Sequence, residues 1–144
     1  MNAPSREPDS LVDWLTYLEA LHPKTIEMGL DRVNQVRLEL GLVPTFPIIL
    51  VGGTNGKGSV CAMLESILCC AGYQVGCYTS PHLLRYNERV RIDKEEIDDE
   101  KFCYAFAQIN AARENCQTSL TFFEFGTLAA MYLFIKAQVD VAIL

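Results

Sequence analysis

The sequence has no long apolar run, no excess of positive charge and no pair of cysteines in CxxC spacing, and each absence removes a class of function. No apolar stretch approaches the ~20 residues that cross a bilayer as a helix. The opening Met1-Asn2-Ala3-Pro4-Ser5-Arg6-Glu7-Pro8-Asp9-Ser10 also lacks the apolar core of a signal peptide. The expectation is a cytoplasmic protein with no membrane partner. Lys and Arg number 12 against 18 Asp and Glu, a formal net charge of −6. That is the wrong sign for a phosphate backbone, so nucleic acid is not an expected partner either. The six cysteines, Cys61, Cys69, Cys70, Cys77, Cys103 and Cys116, read as reduced thiols that pack as small hydrophobes. Internal repeats, low-complexity tracts and a heptad seam are all missing.

What is present suits one compact core. The 144 residues are 50% hydrophobic and 21% charged, enough to fold and too few for two full domains. Leu11, Trp14, Leu15, Leu18 and Leu21 recur at helical steps behind Ser10, a good N-cap, and Pro23 should end that helix. Leu30, Val33, Arg37 and Leu40 carry a second helical period, with Gly41 where a left-handed C-cap belongs. Ile48-Ile49-Leu50-Val51 is a short aliphatic run between Pro47 and Gly52, the pattern of a strand buried on both faces. After a glycine-rich turn, Val60, Met63, Leu64, Ile67, Leu68 and Ala71 trace a helical face that stops at Gly72. Residues 75–79 read as the next strand.

Strand, glycine-rich turn, helix and strand form a βαβ unit with parallel strands. The fold class is therefore α/β, with a phosphate-loop-type, mostly parallel sheet and flanking helices. Farther along, Arg89-Val90-Arg91-Ile92 alternates like an edge strand, and Phe102, Phe106 and Ile109 predict a helix starting near Asp98-Asp99. Leu128, Met131, Tyr132 and Ile135 predict another helix, and Val139-Asp140-Val141-Ala142-Ile143-Leu144 a third buried strand. In open α/β sheets the ligand sits beyond the carboxyl ends of the strands. A final strand with no loop after it reads as a fragment, cut at the rim of its own active site.

The chemistry concentrates in Gly52-Gly53-Thr54-Asn55-Gly56-Lys57-Gly58-Ser59, between the first strand and its helix. Glycines there let successive backbone N–H groups turn toward one anion, and the helix N-terminus adds partial positive charge. Lys57 can reach terminal phosphates as a mobile point charge. The general pattern GxxxxGK[ST] is met imperfectly: Val51 stands where the first glycine belongs and Gly58 where Ser or Thr belongs. A tight turn whose glycines serve geometry alone is the competing reading, and it leaves Lys57 without a purpose.

Gly53-Thr54-Asn55-Gly56-Lys57-Gly58-Ser59 resembles the shortened phosphate loop of the ATP-dependent amide ligases that include the peptidoglycan Mur ligases and the folylpolyglutamate synthases. Tyr78-Thr79-Ser80-Pro81-His82-Leu83 and Arg85-Tyr86-Asn87-Glu88-Arg89-Val90 are similar to the folylpolyglutamate and dihydrofolate synthase branch. Trp14-Leu15, Tyr17-Leu18-Glu19, Gly29-Leu30-Asp31-Arg32 and Leu120-Thr121-Phe122-Phe123-Glu124-Phe125-Gly126-Thr127 extend the likeness over nearly the whole chain. In flavour it looks most like the bacterial bifunctional enzymes.

That resemblance implies ATP-driven amide formation. A substrate carboxylate takes the γ-phosphoryl group, and the amine of L-glutamate attacks the acyl phosphate. Dihydropteroate would give dihydrofolate, and reduced folates would gain further glutamates. The implied cofactors are ATP and Mg2+. Thr54, Asn55, Gly56, Lys57, Gly58 and Ser59 would hold the phosphates, with Lys57 the catalytic residue, and Ser59 and Ser80 would serve the metal. The family's companion glutamate follows the strand that matches residues 139–144. Ala20, Leu21, His22 and Pro23, with Thr121, Phe122, Phe123 and Glu124, match the places where bifunctional members hold the pterin. The chain would then be the N-terminal part of the ATP-binding domain, residues 1–144, inactive alone and monomeric when full length. The remainder of that domain and the C-terminal ligase domain would be absent.

Blander readings stand beside these. Phe122 and Phe123 also suit ordinary core packing. His22 and His82 invite proton transfer but have no visible partner carboxylate. Arg85, Arg89 and Arg91 could meet substrate carboxylates, although surface ion pairing is their commoner use. The acidic residues from Asp93 to Glu100 around Lys94 lack the spacing of a calcium loop and read as a solvated approach to a helix N-terminus. A nucleotide-binding or regulatory remnant without ligase activity remains the rival class. A Mur-type ligase is disfavoured by Gly58-Ser59 and Thr79-Ser80-Pro81.

Overall fold

A computed structural model describes residues 8–21 and 29–144. Where the length suggested one core, the chain forms two compact units, Met1–Leu42 with Asp99–Ala129 and Val43–Asp98 with Ala130–Leu144. The helices are α1 (Leu11–Leu21), α2 (Asp31–Glu39), α3 (Lys57–Cys70), α4 (Asp99–Asn115) and α5 (Phe122–Ala137). The strands are β1 (Ile48–Ile49), β2 (Val75–Tyr78), β3 (Val90–Ile92), β4 (Glu95–Glu96) and β5 (Val141–Ile143).

The first unit is helical and aromatic. Ser10 caps α1 as its sequence predicts: its Oγ accepts from the Asp13 N–H at 3.2 Å and donates to the Asp13 carboxylate at 2.6 Å. The break expected at Pro23 lies outside the described residues. Helix α2 ends at Gly41, whose φ of 62° is the left-handed C-cap. There the Gly41 and Leu42 N–H groups each donate at 3.0 Å, to the Leu38 and Arg37 carbonyls. Trp14 and Leu18, each 1% exposed, form the buried stripe of α1 with Leu11. The Trp14 ring lies 5.9 Å from Phe106, which in turn meets Phe102 and Phe125 at 5.6 Å. Offset and edge-on rings at these spacings add specific contacts to their area burial.

The second unit is a five-stranded sheet in the order β1-β5-β2-β3-β4. Strands β1 and β2 both run parallel to β5, which lies between them, while β3 is antiparallel to β2 and β4 to β3. Side chains alternate between the two faces of a strand. Val75, Cys77, Val141 and Ile143 therefore share one face, which packs with Cys61, Leu64 and Leu68 of α3. Gly76 points to the other, where a Cβ would lie 2.6 Å from the buried Phe134 ring of α5.

Three expectations are corrected in this unit. The run Ile48–Val51 is not buried on both faces, since Ile48 is 42% and Leu50 81% exposed. Among the described strands β1 pairs with β5 alone, and only its Ile49 and Val51 side joins the core. The buried stripe of α3 runs through Cys61 and Glu65, leaving Val60, Met63 and Ile67 exposed. Sorting by apolarity misplaced that face because its centre is a carboxylate neutralised by Arg91. Finally, β3 is not an edge strand. Asp93 and Lys94, at φ 52° and 70°, turn the chain back so that β4 covers β3.

Candidate active site

The carboxyl end of β1 runs through Gly52–Gly56 into α3, and this junction forms the loop proposed from sequence. Gly56 is the N-cap of α3 at φ 77° and ψ 0°, a left-handed conformation that favours glycine. Every residue from Gly52 to Val60 is exposed. A Cβ added at Gly56 or Gly58 would meet nothing within 4 Å, so the space above the loop is open. Lys57 opens the helix, and its Nζ donates to the Gly53 carbonyl at 2.5 Å. The ammonium is thus held over the loop itself.

A cleft of about 710 Å³ lies against this junction, lined by Thr54–Gly58 on one side and by Thr79, Ser80, Pro81 and Leu83 on the other. Five of the six phosphate-loop candidates, Thr54, Asn55, Gly56, Lys57 and Gly58, line it together with Ser80. Ser59, in the first turn of α3, is exposed but is not among the lining residues. Ala62, Glu65, Ser66, Arg91 and Lys94 also line it; of these the sequence offered only Arg91, as a partner for substrate carboxylates. The available signal was Glu65, a charge between Leu64 and Ile67 on an otherwise apolar face.

Below the cleft the electrostatics are set by one ion pair. Burial is the largest influence on Arg91 and opposes its charge, but hydrogen bonding to Glu65 and the neighbouring negative groups together outweigh it and hold the guanidinium charged. Burial pushes the Cys77 thiol up to about 12 and raises Cys61 as well, with the Glu65 charge adding to both. Neither thiol is activated as a nucleophile, and all six cysteines are free thiols. Glu88, beside the cleft, goes the other way. Hydrogen bonds from the Leu83, Arg85 and Leu84 N–H groups hold its carboxyl down at about 2.

Arg85 pairs with Glu96 at 2.8 Å, whereas Arg89 donates from Nε to His82 Nδ1 at 2.8 Å. The acidic run from Asp93 to Glu100 leads into α4 with Asp99 and Glu100 in its first turn. Among the described residues no group of three or more His, Cys, Asp or Glu could hold a metal ion. Thr79 and Ser80 bring hydroxyl groups to the cleft from the β2 side.

The second set of candidates belongs to the helical unit. Ala20 and Leu21 are the last residues of α1, while His22 and Pro23 lie outside the described residues. Thr121 caps α5: its Oγ1 accepts from the Glu124 N–H at 3.2 Å, and the Glu124 carboxylate accepts from the Thr121 N–H at 2.8 Å. The same carboxylate pairs with Arg32 at 2.9 Å. Thr-x-x-Glu is a capping-box spacing, legible in the sequence and missed there. Phe122 is half-buried and Phe123 is 54% exposed.

No family model matches the chain. It is 53% identical to the dihydrofolate synthase/folylpolyglutamate synthase of Escherichia coli strain K12 over 135 residues, which are 93% of this chain and 32% of that protein. The chain belongs to the dihydrofolate synthase/folylpolyglutamate synthase family. Among solved members of this family, E. coli FolC in complex with DHPP and ADP superposes with a TM-score of 0.91 at 50% identity, covering 97% of this chain and 34% of that one. The bifunctional synthase from Yersinia pestis, complexed with AMPPNP and a Mn ion, gives 0.89 at 50% identity, covering 99% and 34%. The chain spans about one third of the length of the family members it matches. No described helix is long and apolar enough to cross a membrane.

Proposed function

We propose that this chain supplies the N-terminal part of the ATP-binding domain of a bifunctional ligase. The full-length protein would add L-glutamate to dihydropteroate and to reduced folates through an acyl phosphate, and this segment would be inactive alone. The observation that carries the reading is the exposed glycine loop between β1 and α3, with Gly56 at φ 77°, Lys57 at the helix start and open space above both. Such a loop turns N–H groups and a helix N-terminus toward an anion. The binding of ADP or AMPPNP by the two solved relatives supports the same assignment.

In this reading Thr54–Gly58 hold the phosphates, and Lys57 leaves the Gly53 carbonyl to neutralise their charge. Ser59 sits one turn into the helix as a further hydroxyl for phosphate or metal. A magnesium ion held there would supply positive charge to offset what develops during phosphoryl transfer. Ser80 gives it one oxygen, and an octahedral ion needs waters, phosphate and carboxylate to complete its shell. The pterin would contact the segment from Ala20 to Pro23 and the start of α5, where the exposed Phe123 offers an aromatic face. Thr121 and Glu124 would shape that contact through the cap they form. Small anionic substrates, a cytoplasmic location and a monomeric state complete the proposal, and the net charge of −6 supports small molecules over nucleic acid.

The test uses the full-length gene product with Mg-ATP, L-glutamate and either dihydropteroate or a reduced folate. ADP release that requires both the glutamate and the pterin substrate supports the ligase. Nucleotide binding without such release would leave a nucleotide-binding remnant instead. Lys57→Ala should lower turnover by ~10²-fold or more, the scale of losing one preorganised charge-stabilising group, with unchanged unfolding. Normal turnover in a folded Lys57→Ala protein would refute the loop assignment.

A further inference from the structure

Helix α3 and the loop that begins at Ser80 are joined by a continuous series of charge-assisted hydrogen bonds. Glu65, in the middle of α3, is only 4% exposed. Its carboxylate accepts from Arg91 Nη2 at 3.0 Å and from Nε at 3.2 and 3.3 Å. Arg91 lies on β3 opposite Cys77 of β2, which puts it on the sheet face that α3 covers. Its Nη1 donates to the Glu88 carbonyl at 3.2 Å. The Glu88 carboxylate then accepts from three consecutive backbone N–H groups, those of Leu83 at 2.8 Å and of Leu84 and Arg85 at 2.7 Å.

Apolar packing does little for the tip of this loop, since Leu83 and Leu84 are 89% and 90% exposed, and its other polar ties run from Arg89 to His82 and from Arg85 to Glu96. Stability is a poor account of the buried pair, because apolar residues of similar volume often replace such a pair without loss. What a bidentate carboxylate–guanidinium contact provides is orientation. Both of its members line the cleft between the glycine loop and Ser80.

We propose that Glu65, Arg91 and Glu88 are positioning residues that fix the Ser80 loop against the start of α3, and so set the distance between metal and phosphates. The proposal rests on the reading of the cleft as a Mg-nucleotide site. None of the three need touch the nucleotide. Their effect passes through the backbone of residues 83–85 and through Arg91.

The test compares wild-type full-length protein with two variants. Glu65→Leu combined with Arg91→Met removes the pair without leaving an unpaired buried charge, and Glu88→Gln keeps the size of a half-buried side chain. Amide exchange of Leu83, Leu84 and Arg85, measured without nucleotide, should rise about ten-fold in both, the effect of losing a charge-assisted hydrogen bond. Exchange in α4 should stay at the wild-type rate, which a general loss of stability would not permit. The Mg2+ concentration that half-saturates ADP binding should rise several-fold in both, by analogy with the 10–100-fold cost of disturbing groups that orient metal ligands. Wild-type exchange at residues 83–85 in the folded double variant overturns the proposal, as does an effect confined to Glu88→Gln. If wild-type protein binds no ADP at any Mg2+ concentration, the nucleotide reading fails and the metal part of the proposal with it. The exchange result is read independently of that.

Discussion

The two units hold themselves together by different means. In the helical unit the stabilising contacts are between side chains: Phe106 meets Trp14, Phe102 and Phe125, and Ser10 and Thr121 cap their helices with partners three residues on. In the sheet unit much of the work is done by backbone and by a missing side chain. Gly76 leaves room for the Phe134 ring, and Glu88 gathers three N–H groups. A unit built from side-chain packing tolerates a change of surface chemistry. A unit built on backbone approach presents N–H groups and glycines to a ligand, which is what a phosphate site requires.

The largest test of this contrast is Phe106→Ala, which should cost ~3–5 kcal/mol by removing the ring at the centre of the aromatic cluster. Trp14 is the single tryptophan, so its fluorescence reports the helical unit during urea unfolding. An unchanged midpoint would mean that the cluster does not carry that unit. Next comes Gly76→Ala, where the added Cβ would lie 2.6 Å from a ring that is fully buried. A loss of ~1–3 kcal/mol is expected for such overpacking, read as faster modification of the buried Cys77 thiol. Wild-type reactivity there would show that Phe134 can move aside.

Smaller effects separate the caps from the carboxylate that gathers N–H groups. Thr121→Ala should cost ~1 kcal/mol as a lost N-cap, seen in the same fluorescence-detected unfolding. For Glu88 the folded pKa of about 2 lies below the ordinary 4.5, so the loop gains stability above about pH 4.5 and loses it as pH falls through about 2. An NMR titration of the Glu88 carboxyl should therefore show its midpoint well below 4.5. A midpoint at the ordinary value would mean that the three N–H groups do not converge on it in solution.

Helix positions were legible where a cap and a period coincided, as at Ser10 with Trp14 and Leu18, and at Gly41. The glycine loop was legible because φ above zero, a following lysine and a strand–helix junction leave few alternatives. Partners that arrive from distant chain positions were not. Glu65 is buried because β3 brings Arg91 to it; the lone charge on an apolar face of α3 is visible in the sequence, but the partner that neutralises it is not. The turn at Asp93-Lys94 escaped notice because neither residue is the glycine or asparagine that usually marks two successive left-handed positions. The cap that Thr121 and Glu124 form was also legible, in their spacing of three, and went unread.

The strand order also governs when the site can come into being. Ile48 pairs with Ala142, and Val75 with Val141, so the two strands that flank β5 have no common neighbour until that last strand has been synthesised. A nascent chain emerging from the ribosome can make helix α3 early, but the junction that aims its N-terminus stays unanchored through α4 and α5. Loop closure over such separations is slow. During that interval the aliphatic run at Ile48 and Leu50 has both backbone edges open, the feature that draws one unfinished chain to another. Pairing with Val141–Ile143 covers one of those edges and anchors the strand that leads into the glycine loop.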